Sequence, residues 1–311
     1  MTIAFKVDID TYEGMRDGVP TLLDRFDRHG IRATFFVSYG PDNSGKAALR
    51  VLTKKGFVKK MLRSNAVKMY GLRTALSGTL LPARLVGCSF PGLVREIAQR
   101  GHEVGVHAWD HVYWHDRLHR MTEEEVRAEF KRACDAHTQI VGEPPRSSAA
   151  AGWTANDTSL RVKDDWRMRY HSDTRGPTPF IPVTQPGTRH TLQIPTTMPT
   201  LDEALGAGMC KEANADDFIF RQLKPDRRNV FTLHTEAEGR AYAGFFERFV
   251  RRAESAGATF VRMCDYADEL IANSSPIAEA RIVQATLPGR AGYVAMADEA
   301  GVRPLCIHKH L

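Results

Sequence analysis

Thr2-Ile3-Ala4-Phe5-Lys6-Val7, running into Asp8-Ile9-Asp10-Thr11, and Ile31-Arg32-Ala33-Thr34-Phe35-Phe36-Val37-Ser38 are the two runs whose reading decides the fold. Both have the apolar content of buried strands. Between them Gly18-Val19-Pro20 opens an amphipathic helix with Leu22, Leu23 and Phe26 on one side, and His29-Gly30 closes it. Strand, helix and strand within 40 residues predict an α/β fold, because parallel neighbours need a helical crossover. Asp8 and Asp10 follow at the end of the first run. Two residues apart on an extended chain, their carboxylates point the same way and can look into one pocket; a pair of turn-capping aspartates is the other reading.

Working outward, the alternation resumes at Phe90–Arg100, read as a helix, and at the strand His102–Val106. That strand delivers His107 and His111, four residues apart, at its carboxyl end. Neutral imidazoles so placed can face one divalent cation, although the spacing by itself also suits two structural histidines. Val112–Asp116 reads as loop, and Thr122-Glu123-Glu124-Glu125 as a capping box for a helix to about Val141. Arg146 follows the pair Pro144-Pro145 at the entry to a short strand, where a guanidinium can orient a carboxylate or simply meet solvent. Trp153–Asp165 is predicted helical, and Met168–Asp173 a strand ending in polar residues. The proline-rich stretch Gly176–Pro199 is predicted irregular with one strand, Thr191–Ile194. Helices are predicted at Leu201–Leu205 and Asp216–Leu223. The buried strand Arg228–Glu236 carries His234 at its end, and a helix, a strand and a last helix reach Ala272.

Composition sets the frame. With 42% hydrophobic and 26% charged residues in 311, the chain has the makeup of a globular protein that can bury a sizeable core. Five widely spaced cysteines without a C-x-x-C pair suggest neither a disulfide framework nor a thiolate metal site. No apolar run has the length of a spanning helix, and the first eight residues lack the apolar core of an export signal, so a cytoplasmic location is expected. The net charge of +6 is unevenly spread. Asn43 to Arg95 holds eleven Lys and Arg and no acid, so a basic insert, 41–91, interrupts an otherwise mildly acidic body. Within it, 46–81 alternates basic and apolar residues, broken at Gly56, Gly71 and Gly78. Such helices suit an anionic membrane surface, or a solvated helical hairpin that covers a hydrophobic pocket. With only Phe57 and Tyr70 available for stacking, the insert is not expected to bind nucleic acid.

Strand ends thus offer Asp8, Asp10, His107, His111, Arg146, Asp173 and His234. Two histidines and one aspartate make an open metal site; a second aspartate can take a proton from water and a separate histidine can protonate a leaving amine. This inventory suits metal-assisted hydrolysis of an amide.

The ordered set Asp8-x-Asp10, His107-x-x-x-His111, Arg146 after two prolines and Leu233-His234 resembles the polysaccharide deacetylase family with its NodB homology domain. The resemblance covers residues 1–272, leaving 273–311 as a C-terminal extension without assigned chemistry. It implies a deformed (β/α) barrel with a basic helical insert. It also implies a divalent ion (zinc, manganese, cobalt or nickel) held by Asp10, His107 and His111. Asp8 would be the general base, Arg146 its orienter, His234 the general acid and Asp173 the support of His234. The family usually has adjacent aspartates; with Ile9 between them, the roles of Asp8 and Asp10 are open to exchange.

Within the family, Val7–Gly14, the long insert and Gly105–His111 are similar to a branch acting on 4-deoxy-4-formamido-L-arabinose linked to undecaprenyl phosphate. That implies hydrolysis of an N-formyl group at the inner face of the inner membrane, feeding lipid A modification and resistance to cationic peptides. The protein would be cytoplasmic and peripheral, with its insert against anionic lipid. Two alternatives stand beside this reading: a deacetylase of a soluble amino sugar, and a basic membrane- or nucleic-acid-binding protein whose histidine cluster is structural.

Overall fold

Alternation along the first strand sorts the core into two layers. In β1 (Thr2–Ile9), Ile3, Phe5, Val7 and Ile9 join the larger apolar cluster, while Ala4 joins a smaller one and Lys6 and Asp8 share its side of the strand. The same split holds in β2 (Thr34–Ser38), where Phe35 and Val37 face the larger cluster and Phe36 the smaller. Crossover helices cover the larger cluster. Among them are α1 (Val19–Arg28), α2 (Pro91–Gln99), and, beyond β3 (Glu103–Ala108) and α3 (His111–Arg117), α4 (Glu123–Val141). The computed structural model describes residues 1–47, 71, 73–184, 188–273, 276–290 and 292–298. The basic helices expected over 46–81 therefore lie for the most part outside the described residues.

The chain continues through β4 (Ser147–Ser148), α5 (Asp157–Asp164), β5 (Tyr170–His171), β6 (Phe180–Pro182), α6 (Leu201–Gly206) and α7 (Ala215–Phe220). It then forms β7 (Arg228–His234), α8 (Ala243–Ser255), β8 (Thr259–Val261) and α9 (Met263–Ala272). Seven strands pair in parallel in the order β5-β4-β3-β2-β1-β7, with β8 also on β1. β7 pairs with β1 from Thr2 to Asp8, so β2, at Lys6–Ile9, and β8, at Thr2–Ala4, share the other edge. Phe5 lies at the centre of the outer layer, with ring centroids 5.4 Å from both Phe246 and Phe260 and 5.8 Å from Phe26. Truncating such a ring costs about 3–5 kcal/mol.

The sheet is a half-barrel whose open side is bridged by extended chain. His171 N donates to Leu192 O and Ile194 N to His171 O, both at 2.8 Å, and Thr197 N donates to Val230 O at 3.1 Å. The strand expected at Thr191–Ile194 is thus the link between β5 and β7. The C-terminal stretch also docks on this body. β9 (Ala278–Ala280) pairs with β6, β10 (Ile282–Ala285) pairs with β11 (Val294–Ala297), and Arg175 N donates to Ala295 O at 2.8 Å.

Two local expectations differ from the structure. Val112–Asp116, expected as loop, lies in α3, because the Asp110 side chain accepts Tyr113 N and caps the helix. Trp153–Asp165 is not one helix: a turn at Ala151–Trp153 leaves Trp153 at φ 53°, and Asn156 then caps α5. Among the described residues no helix is long and apolar enough to cross a membrane.

Candidate active site

The inward side of the sheet carries its polar residues to one rim. Asp8 sits opposite His234 in the β1–β7 register, so two strands place a carboxylate and an imidazole side by side. Asp10 follows β1 directly, and His107 comes from the end of β3. His111 is the first residue of α3, held there by its capped N-terminus and by Trp114, whose Nε1 donates to Thr154 O at 3.0 Å. The chain ends around them pack closely: a side chain at Gly40 would run into Trp109, which leaves that position to glycine.

Asp10, His107 and His111 offer one ligand atom each, all within 4.8 Å of one another. His107 Nε2 lies 3.2 Å from Asp10 Oδ1 and His111 Nε2 3.5 Å from Asp10 Oδ2. The His107 Nδ1 hydrogen is committed to Ala149 O at 2.9 Å, which leaves the Nε2 lone pair of the neutral ring facing a carboxylate oxygen. Two lone pairs at that distance repel unless a proton or cation lies between them. Asp10 Oδ1 is moreover buried without a hydrogen-bond partner. Burial lowers the His111 pKa, favouring the neutral ring that a metal needs. Burial opposes ionisation of Asp10, but His111, His107 and His234 outweigh it and hold its carboxyl far below the usual range. These donors fit a divalent ion with open positions. Of the two aspartates separated by Ile9, Asp10 is the one that lies against both histidines.

Asp8 is buried against Lys6, whose Nζ bonds to Oδ2, while Oδ1 has no partner. His234 Nδ1 lies 3.7 Å from Asp202 Oδ1, and the His234 ring stands edge-on to Trp153 with centroids 6.3 Å apart. Burial works against a charged ring there, yet Asp202, then Asp10, Asp8 and Glu238 outweigh it and raise His234 to about 9. Asp202 is in turn bonded by Thr200 Oγ1 at 2.5 Å. Two further buried acids brace the rim. Glu236 Oε1 accepts both Thr11 N at 2.8 Å and Thr11 Oγ1 at 2.6 Å, fixing the turn after Asp10, and Glu238 Oε2 accepts His234 N at 2.8 Å. Burial pushes both up to about 7.

Two expected residues are not brought to the rim. Arg146 has a side chain 81% exposed and lies 3.7 Å from Glu143, ahead of β4 rather than at its carboxyl end, so it does not orient Asp8. Asp173 is buried but pairs with Lys163 at 2.7 Å and Gln193 at 3.3 Å; Asp202 stands beside His234 in its place. Lys6, Trp153, Asp202, Glu236 and Glu238 were not singled out from the sequence. Lys6 carries a signal, since Lys6-x-Asp8 repeats the spacing that linked Asp8 to Asp10; Glu236 and Glu238 lie past the end of β7, in a turn and the helical stretch 237–241, where that period no longer holds. Asp202 carries none, being an ordinary acid in the first turn of α6.

The chain matches the family model for polysaccharide deacetylase over residues 3–171. It is 39% identical over 266 residues to a probable 4-deoxy-4-formamido-L-arabinose-phosphoundecaprenol deformylase ArnD of Shewanella sediminis, spanning 86% of each chain. It is 34% identical to the similarly named protein of Wigglesworthia glossinidia brevipalpis, over 91% of this chain and 97% of that one. Among solved structures, a polysaccharide deacetylase from Mycobacterium smegmatis superposes with a TM-score of 0.61 at 17% identity, covering 87% and 90% of the two chains. The Puue allantoinase superposes with 0.58 at 18% identity, covering 88% and 91%. At those identities the structural likeness bears on the fold alone.

Proposed function

The chain belongs to the polysaccharide deacetylase family, and from that we propose that it removes the N-formyl group of 4-deoxy-4-formamido-L-arabinose-phosphoundecaprenol. The observation that carries this reading is the 39% identity over 86% of both chains to a deformylase so named, in a protein whose rim holds Asp10, His107 and His111 together. The reaction adds water across the amide: R–NH–CHO and H2O give R–NH2 and formate with its proton. A divalent ion held by the three ligands would polarise the formyl oxygen and acidify the attacking water.

The rest is done by the chain itself. Asp8 takes the water's proton at Oδ1, the oxygen that Lys6 leaves open. His234, raised to about 9, carries a proton at neutral pH and gives it to the sugar nitrogen as the C–N bond breaks. Asp202 holds that imidazolium beside the rim. Trp153, buried and edge-on to His234, forms one apolar wall beside the acid.

A lipid-linked substrate of this kind would call for work at the inner face of the inner membrane, in service of lipid A modification. We read 1–272 as the catalytic unit and 273–311 as an extension, of which β9 and β11 meet the body through β6 and Arg175. Next to His111 opens a cavity of about 550 Å³, lined by Lys46, Tyr113, Arg117 and Arg120 among others. No carboxylate ion-pairs with these three cations among the described residues, and the acids of the cavity are already engaged. Asp110 accepts Asn43 Nδ2 and Tyr113 N, and Glu125 accepts Thr122 N. With Leu80, 81% exposed, and Leu81 nearby, it is suited to a phosphate at the edge of a lipid surface. The test is mass-spectrometric detection of the amine product from formamido-arabinose phosphoundecaprenol, with and without chelator. Turnover that chelation abolishes supports the reading; no turnover by metal-loaded protein overturns it.

A further inference from the structure

Lys6 is fully buried inside the half-barrel, an unusual place for an ammonium group. Burial lowers its pKa against the pull of Asp8, so its charge depends on its partners. It has one hydrogen-bonding carboxylate, Asp8, and two aromatic faces: the Trp153 ring centroid lies 5.1 Å from Nζ and that of Phe36 5.6 Å. Trp153 is itself fixed, adopting a left-handed backbone at φ 53° and donating from Nε1 to Thr196 Oγ1 at 3.0 Å. The ammonium therefore lies against two aromatic rings, and its hydrogen-bonding side points at Oδ2 of Asp8.

The two oxygens of Asp8 consequently differ. Oδ2 is engaged by Lys6, and Oδ1 is buried with no hydrogen-bond partner. We propose that Lys6 is the positioning residue of the base: it pins Asp8 through Oδ2 and so directs Oδ1, alone, toward the water above Asp10, His107 and His111. It takes the part expected of Arg146, from within the same strand. The inference rests on Asp8 acting as the base, and the experiment separates the two claims.

Lys6→Met removes the charge at nearly unchanged length, Lys6→Arg restores a donor cation, and Asp8→Asn reports on the base itself. Each is assayed for kcat and KM on the lipid-linked formamido sugar, for metal content per chain, and for folding by thermal denaturation. A misdirected base lowers kcat by about 10²-fold, with KM and metal content within twofold of the parent, and Lys6→Arg recovers at least a tenth of the parent kcat. Should Lys6→Met not fold, Lys6→Gln, which can still donate to Asp8, is held to the same expectation with a smaller loss. A parent-like kcat for the folded Met or Gln variant, a loss that tracks metal content, or equal losses in Arg and Met variants overturns the positioning role. Parent-like activity in Asp8→Asn instead overturns the base assignment, whatever Lys6 does.

Discussion

Among the described residues two buried lysine–aspartate pairs stand out, one at the rim and one away from it. Lys6–Asp8 and Lys163–Asp173 are both almost wholly enclosed, and each lysine lies against two aromatic rings: Phe36 and Trp153 for the first, Trp114 and Phe130 for the second. The difference is in what the carboxylates lack. Asp173 is satisfied at both oxygens, by Lys163 and by Gln193 Nε2, and Lys163 has Ser148 Oγ as well at 3.2 Å. Asp8 keeps Oδ1 unpartnered. An orphaned buried acceptor costs about 1–3 kcal/mol, so the first pair carries a penalty that the second does not, and the proposed base is the carboxylate that bears it.

The widest test of that contrast removes what the unfinished pair faces. His107→Ala takes away a ligand whose Nδ1 is already fixed to Ala149 O. Activity should fall by about 10⁴-fold or more, since water then lacks its acidifying cation, and metal retained after dialysis should fall with it. Full activity and metal content in this variant would return the cluster to a structural role.

Exchanging the two aspartates comes next. Asp8→Asn and Asp173→Asn each leave a lysine buried without its counter-charge, and breaking such a pair costs about 3–5 kcal/mol, read as a lower denaturation midpoint. Their catalytic effects should diverge. Asp8→Asn should lower kcat by about 10²–10⁴-fold, whereas Asp173→Asn should leave the kcat of the folded fraction within twofold. Equal loss of kcat would erase the distinction.

A smaller effect sharpens which acid supports His234. With that ring raised to about 9, the general acid is protonated at neutral pH and kcat should decline as pH rises through about 9. Burial lowers the His234 pKa and Asp202 is the strongest opposing influence, so Asp202→Asn should move this alkaline limb to lower pH while Asp173→Asn leaves it in place. Stability follows the same sign. A histidine raised from its unfolded value of about 6.5 contributes fully below that pH, and the contribution is lost as pH rises through about 9. An alkaline limb that shifts in Asp173→Asn and not in Asp202→Asn would restore the sequence-based assignment.

What could be read from the sequence was whatever rests on local period and order. The strand–helix–strand opening gave the parallel sheet, and the order Asp10, His107, His111 and His234 pointed to groups that the structure does gather at one rim, because each lies at or just past the end of a strand that its own residues define. The support of those groups is non-local. Asp202 reaches His234 from across 32 positions of sequence, and nothing in the first turn of α6 marks it. Asp173 looked suitable for the opposite reason: it follows a strand, as a site residue should, yet Lys163 and Gln193 enclose it. Lys6 is legible in period, since it shares the face of Asp8, but a lysine within an apolar strand ordinarily reaches solvent, and nothing local marks this one as buried.

Arg146 gives the smallest expected effect and the cleanest control. A guanidinium just before β4 was expected to orient the base, but the strand has only two residues and the site lies past its carboxyl end. The side chain instead points to solvent, 3.7 Å from Glu143, itself exposed. A pair so placed contributes about 0–1 kcal/mol. Arg146→Ala should therefore change the denaturation midpoint by no more than a degree or two, roughly the shift of a ±0.5 kcal/mol surface change, and leave kcat and KM as they are. Beside Lys6→Met, it asks whether the cation that serves Asp8 comes from the surface before β4 or from inside β1; a fall in kcat with Arg146→Ala, and none with Lys6→Met, would give the role back to the arginine.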